Sequence, residues 1–202
     1  MSLVGVIDYG MGNLYSVQKA LQHLGVSNEL VQEPYALGHY EKLILPGVGA
    51  FGDAMRNLQN AGMAAPIRQA VANGTPLLGI CLGMQVLFSD GEEMGHHTGL
   101  GLLKGAVRCL QVSAKVPHMG WNQIKIRRQI PLLSDLPGEL FVYFANSFVV
   151  YPEEEQVIAG ETEYETMFPS VVSYHNVHGV QFHPEKSQRV GLKILQNFVE
   201  KC

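Results

Sequence analysis

Through the first half of the chain, short apolar runs alternate with stretches whose apolar positions recur at helical spacing. Leu3–Asp8 reads as a strand followed by a helix over Asn13–Leu24, and Ser27–Gln32 as a second strand. Lys42–Pro46 is a third strand, followed by helices over Gly52–Asn60 and Met63–Ala72. Pro76–Ile80 is a fourth, followed at once by a helical pattern over Leu82–Phe88. Such alternation predicts βα units and a mainly parallel sheet. The second half changes character: Gly105–Val112, Trp121–Ile126, Leu140–Val150, Gln156–Thr162 and Ser170–Phe182 are strand-like and have no helices between them. Antiparallel hairpins beside a parallel core are expected. In the closing segment Ser187–Val199, Val190, Leu192, Ile194, Leu195 and Phe198 suit an amphipathic helix lying on one sheet face. The fold class is therefore α/β, a mainly parallel central sheet flanked by helices with an additional antiparallel region.

In open α/β sheets, functional groups collect outside the carboxyl ends of the strands. The glycine-rich turns after Asp8, Leu45 and Ile80 are expected to meet at one such edge. With 202 residues, no repeats and no linker-like segment, one domain spanning residues 1–202 is expected, large enough to bury about 70% of its unfolded surface. A net charge of −4 carries no electrostatic footprint for nucleic acid, and the short basic run Lys125-Ile126-Arg127-Arg128 suits a solvated strand end. No apolar run approaches the roughly 20 residues a membrane span needs, and the amino terminus lacks a basic leader pattern. Three cysteines, Cys81, Cys109 and Cys202, form neither an even disulfide set nor metal-type spacing. A cytosolic chain without metal or cofactor is expected.

Cys81 lies in Pro76-Leu77-Leu78-Gly79-Ile80-Cys81-Leu82-Gly83-Met84-Gln85. Glycines at i−2 and i+2 of a residue between strand and helix are the grammar of a nucleophile elbow, where side chains would crowd the turn. The first-turn N–H groups of the following helix would favour thiolate over thiol. A small buried cysteine beside a glycine turn is the competing reading. A thiol nucleophile needs a base and a group to orient that base. Among eight histidines, His96 and His97 lie in a glycine-rich acidic loop, and His175 and His178 flank a hairpin turn; all four are expected to face solvent. His183 stands in Gln181-Phe182-His183-Pro184-Glu185, where the proline keeps the chain extended and places residues i and i+2 on one side. A surface His-Pro-Glu turn is the alternative.

Gly47-Val48-Gly49-Ala50-Phe51-Gly52 matches a dinucleotide fingerprint, but no Asp or Glu occurs between Ala54 and Ser89, where a ribose-binding carboxylate would stand about 20 positions on. No Lys-Ser/Thr pair follows, so a phosphate loop is excluded as well. The remaining role for these glycines is close backbone approach to something small, such as the oxygen of a tetrahedral intermediate.

Gly79-Ile80-Cys81-Leu82-Gly83-Met84-Gln85 together with Gln181-Phe182-His183-Pro184-Glu185 resembles the triad-type (class I) glutamine amidotransferases. Ile7-Asp8-Tyr9-Gly10-Met11-Gly12-Asn13, Leu45-Pro46-Gly47-Val48-Gly49, Pro117-His118-Met119-Gly120-Trp121-Asn122 and His183-Pro184-Glu185-Lys186-Ser187 narrow the likeness to the glutaminase subunits of imidazole glycerol phosphate synthases, over residues 4 to about 199. The resemblance implies a domain that hydrolyses L-glutamine and passes ammonia to a (βα)8-barrel cyclase subunit in a heterodimer of histidine biosynthesis. It implies Cys81 as nucleophile, His183 as acid and base, and Glu185 as orienting group, with oxyanion donors at Leu82 and Val48. Gly49, Gln85, Glu93 and Ser147 would hold the glutamine backbone groups. Asn13, Met119, Trp121, Tyr143 and Lys186 would face the cyclase. One position departs: where this family usually reads Tyr-Phe-Val-His-Ser-Tyr, the chain has Tyr143-Phe144-Ala145-Asn146-Ser147-Phe148, and Asn146 cannot titrate near neutrality. Within the same chemistry, a glutaminase serving a different synthase is the runner-up. A cysteine peptidase would not require the Gly47–Gly49 turn, the His-Pro-Glu order and Gln85 together, and a silent scaffold would not require a triad.

Overall fold

The computed structural model describes residues 3–136 and 138–202. In it the early apolar runs form β1 (Val4–Ile7), β2 (Asn28–Val31), β3 (Lys42–Gly47) and β4 (Leu77–Cys81). Helices α1 (Leu14–His23), α2 (Phe51–Asn60) and α3 (Ala64–Ala72) lie in the connections. Beyond β4 come the four-residue helix α4 (Leu82–Gln85) and strands β5 (Phe88–Gly91), β6 (His97–Thr98) and β7 (Leu103–Cys109). Next are β8 (His118–Gln123), β9 (Lys125–Ile126), β10 (Phe141–Asn146) and β11 (Phe148–Pro152). Strands β12 (Ile158–Tyr164), β13 (Thr166–Tyr174) and β14 (Val177–Val180) precede the closing helix α5 (Gln188–Lys201).

The main sheet has the order β2-β1-β3-β4-β14-β13-β12-β9. Its pairs are parallel from β2 to β14 and antiparallel from there to β9. Strand β14 therefore returns to the centre, with Gly179 beside Gly79 and Val180 beside Ile80. This register delivers the segment after β14 to the edge where β3 and β4 end, Gly47 opposite Cys81. Period-two alternation divides the core. Val4, Val6, Ile44, Leu78, Ile80 and Val180 pack on one face with residues of α1 and α5. Ile7, Leu43, Leu45, Leu77 and Val177 pack on the other with residues of α2 and α3. Covered on both faces, these strands need the continuous apolar runs seen in the sequence, and each fully buried large side chain contributes about 1.5–3 kcal/mol.

Several elements differ from expectation, for reasons of non-local pairing. The helical pattern 82–88 stops at Gln85, because the carbonyls of Val86 and Leu87 accept bonds from Leu100, Leu102 and Leu103 and so draw Phe88 into β5. Leu140–Val150 divides at Ser147: β10 pairs with β8, while β11 pairs with β7 in a separate four-stranded sheet of order β11-β7-β5-β6. Trp121–Ile126 divides likewise, since β9 leaves β8 to join β12. The expected strand 105–112 lies at Leu103–Cys109 and the expected 156–162 at Ile158–Tyr164. Ser170–Phe182 is the β13–β14 hairpin, turning at His175. In α5, Leu192 is half-buried at the flank while Val190, Ile194, Leu195 and Phe198 form the covered stripe.

Candidate active site

Cys81 ends β4 with φ 56° and ψ −113°, a conformation that costs an L residue about 1–3 kcal/mol and persists only when its surroundings impose it. Those surroundings are backbone. A Cβ on Gly83 would stand 1.8 Å from the Leu45 carbonyl oxygen, and one on Gly79 would stand 2.6 Å from that of Gly83. Both flanking glycines are thus demanded by close approach, as the elbow grammar requires. Gly47 has the same role: a Cβ there would meet the Gly83 nitrogen and the Tyr9 hydroxyl, each at 2.8 Å. Gly49 at φ 103° turns the chain toward α2.

His183 is extended, and Pro184 opens a 3-10 turn over Pro184–Lys186 that brings Glu185 back against it. The His183 Nδ1 to Glu185 Oε1 distance is 2.8 Å, with both side chains almost wholly buried. The sequence reading brought the two together through an extended chain, whereas the proline-initiated turn is what joins them. The turn is anchored to β10: His183 N–H donates to the Tyr143 carbonyl at 2.9 Å, Ser187 Oγ donates to the His183 carbonyl at 2.6 Å, and Tyr143 N–H donates to Ser187 Oγ at 2.9 Å. On its other side the imidazole shares a cavity wall with Cys81. Burial alone would lower the His183 pKa, but the hydrogen bonds and negative charges of Cys81 and Glu185 outweigh it and raise the value to about 10. A buried imidazole that retains a proton beside a cysteine is suited to exchanging protons with a thiol and with a leaving group.

A cavity of about 370 Å³ opens over the sulfur. Val48, Gly49, Leu82, Gln85, Glu93 and Ser147 line it together with Cys81 and His183. Leu82 is the first residue of α4, so its N–H has no acceptor within the helix. Glu93 Oε2 accepts the Phe51 N–H at 2.8 Å, which ties the start of α2 to the cavity wall. Gln85 spends both amide hydrogens within the protein, on the Phe148 carbonyl and on Gln181 Oε1, each at 3.0 Å. Only its carbonyl oxygen is left for a ligand, which suits an ammonium group. Asn146, at the position where the family usually has histidine, is buried; its Nδ2 donates to the Phe148 carbonyl at 3.1 Å, while its Oδ1 has no partner among the described residues.

Met119 and Trp121 alternate along β8 and are 65% and 47% exposed. Tyr143 stands opposite Trp121 in the ladder, the two rings edge to face at 6.2 Å. These three side chains share the outer face of the β8–β10 ribbon. Lys186 is exposed at the cavity rim, and half-buried Asn13 stands at the N-cap position of α1 without a side-chain capping hydrogen bond.

Two expectations about other groups resolve differently. His178 is not solvent-facing: it is 4% exposed, its Nδ1 lies 3.0 Å from Ser173 Oγ, and burial and the Lys42 charge lower its pKa to about 4. His97 is half-buried, its ring seated where a Cβ on Gly52 would be, while His96 and His175 are exposed as expected. The basic run pairs with carboxylates at the sheet edge, Lys125 with Glu163 at 2.6 Å and Arg127 with Glu155 and Glu161. Sequence reasoning missed three contributors. Ser187 ties the triad turn to β10, Tyr9 is buried beside Gly47, and Gln181 places its amide nitrogen 3.7 Å from Cys81 Sγ. For Gln181 a signal existed, since it stands two residues before His183. The Tyr9 hydroxyl has its pKa raised, first by burial and then by the Cys81 charge.

A strand-to-helix cysteine, a histidine on the same cavity and a buried carboxylate behind that histidine are the residue types and order that thiol-dependent acyl transfer uses. The family model for class-I glutamine amidotransferases matches residues 5–202, and the chain belongs to that family. Among its relatives, the imidazole glycerol phosphate synthase subunit HisH of Moorella thermoacetica is 51% identical, over 99% of this chain and 95% of its own. The HisH subunit of Geobacillus thermodenitrificans is 52% identical, over 98% and 96%, and that of Aquifex aeolicus 48%, over 98% and 96%. Of solved structures, PurLQS from Thermotoga maritima superposes with a TM-score of 0.79 at 23% identity, covering 98% of each chain. A glutamine amidotransferase crystal structure superposes at 0.76 and 22% identity, over 96% and 98%; these two likenesses concern the fold. Among the described residues no helix is long and apolar enough to cross a membrane.

Proposed function

We infer that this chain is the glutaminase subunit of an imidazole glycerol phosphate synthase, acting in histidine biosynthesis. The observation that carries the reading is the convergence of Cys81, His183 and Glu185 beneath one cavity, in a chain about half identical to HisH subunits along its length. Cys81 sulfur attacks the carboxamide carbon of L-glutamine, and His183, steadied by Glu185, gives its proton to the departing ammonia. The carbon–nitrogen bond breaks and a thioester to Cys81 remains. His183, now neutral, takes a proton from water as it attacks the thioester, which releases glutamate and restores the thiol. The N–H groups of Leu82 and Val48 hold the developing oxyanion, where one donor is worth about 3–4 kcal/mol. Gly49, Gln85, Glu93 and Ser147 receive the substrate's backbone groups.

The ammonia passes to a (βα)8-barrel cyclase subunit docked as a heterodimer over Asn13, Met119, Trp121, Tyr143 and Lys186. Exposed aromatic and methionine side chains on one ribbon beside the cavity rim support that surface. The whole of residues 1–202 acts as one domain, a reading supported by a sheet that pairs strands from both halves of the chain. Three free cysteines are in keeping with a reducing cytoplasm. The test is Cys81→Ala assayed with the cyclase partner: glutamate release is abolished, while Cys109→Ala and Cys202→Ala remain active. Substantial release by Cys81→Ala would end this mechanism.

A further inference from the structure

Three carboxamides and one peptide carbonyl form a buried chain leading to the nucleophile. Phe148 and Cys109 face each other across β11 and β7. The Leu110 N–H bonds to the Ser147 carbonyl at 2.8 Å, which marks Phe148–Cys109 as a pair not bonded to each other and turns the Phe148 carbonyl out of that ladder. It accepts instead from Asn146 Nδ2 and Gln85 Nε2. A carbonyl oxygen can only accept, so it dictates which end of the Gln85 amide faces it. The second hydrogen of that NH2 group is then directed to Gln181, whose Oε1 must be the atom receiving it. The remaining end of Gln181 is its NH2 group, and it points at Cys81 Sγ. The polarity of the whole chain is thereby set by one backbone oxygen, and its last member is a donor aimed at sulfur.

We propose that Gln181 is a catalytic residue whose amide N–H, oriented through Gln85 by the Phe148 carbonyl, stabilises the Cys81 thiolate. This rests on Cys81 being the nucleophile. Gln181 is completely buried and Gln85 is 5% exposed, so water does not compete for these bonds, and a hydrogen bond to an ionised group in such a setting is among the stronger ones. His183 supplies charge to the sulfur from one direction and Gln181 a dipole from another. The donor stays in place when His183 has given its proton to the leaving ammonia.

The pH dependence of Cys81 alkylation by iodoacetamide tests this without glutamine, with peptide mass spectrometry reading Cys81, Cys109 and Cys202 separately. In Gln181→Met the midpoint for Cys81 moves up by about one pH unit, a tenfold loss of reactivity below it. In Gln181→Glu it moves further, since a carboxylate then faces the sulfur. In Gln85→Glu it also moves up, because Gln181 must rotate its NH2 group toward the new carboxylate and present oxygen to Cys81. Cys109 and Cys202 keep their wild-type profiles, which also reports that each variant is folded. Cys81 midpoints coincident with wild type in both Gln181 variants would overturn the proposal. A shift in the Gln181 variants without one in Gln85→Glu would overturn the relay through Gln85. Loss of the nucleophile reading itself would show separately, as glutamate release by Cys81→Ala.

Discussion

The two ends of β14 carry histidines that are equally buried and shifted in opposite directions. His178, inside the strand, is 4% exposed with a pKa near 4; His183, just beyond it, is 4% exposed with a pKa near 10. Burial alone disfavours the charged imidazole at both. The difference is the company: Ser173 and the Lys42 charge at the first, Cys81 and Glu185 at the second. At the carboxyl edge the chain leaves β3, β4 and β14 in adjacent turns, so groups distant in sequence are brought against one another and desolvated together. Packing toward the other edge asks only that a side chain be neutral and fit, as His178 does against Phe198.

Removing the carboxyl-edge histidine is the harshest way to break this contrast. His183→Ala is expected to lower glutamine turnover at least about a thousandfold, measured with the partner present. Glu185→Gln keeps a measurable residue, because an orienting group matters less than the base it orients. Near-wild-type turnover in both would dissolve the triad.

Trp121→Ala probes what else that edge does. If the β8–β10 ribbon anchors the cyclase, calorimetric titration shows binding about tenfold weaker, the equivalent of about 1.4 kcal/mol. Turnover at saturating partner is retained. Unchanged affinity would leave Trp121 a solvent-exposed ring with no part in docking.

The smallest effect sharpens the contrast itself. An unfolded histidine titrates near 6.5, above the value of His178 in the folded chain, so the unfolded state takes the proton first. Stability is present above about pH 6.5 and is lost as pH falls toward 4. His183, raised when folded, acts the other way: its contribution is complete below about pH 6.5 and is lost as pH rises through about 10. His178→Asn is therefore expected to flatten the acid limb of a urea-denaturation series by up to about 1.4 kcal/mol per pH unit while leaving turnover intact. His183→Ala leaves that acid limb in place.

What the chain determines locally is legible in the sequence itself. The elbow at Cys81 is written in five consecutive residues because its sterics are those of the turn itself, and Gly79 and Gly83 are needed wherever a strand meets a helix so sharply. His183-Pro184-Glu185 is legible for the same reason, since a proline and a spacing of two bring base and carboxylate together within one turn. The apolar runs of β1, β3 and β4 announce strands covered on both faces. What tertiary structure alone decided involves partners far apart along the chain. Phe88 leaves a helical pattern because residues near Leu102 claim the carbonyls before it, and Leu140–Val150 divides because two different strands compete for its halves. His178 goes inside because β13 and α5 close over it. Gln85 and Gln181 stand 96 positions apart, and neither residue taken alone says that it will pair. A hydrogen bond across that separation exists only after β14 has been inserted beside β4, which is a property of the sheet's topology and not of either segment.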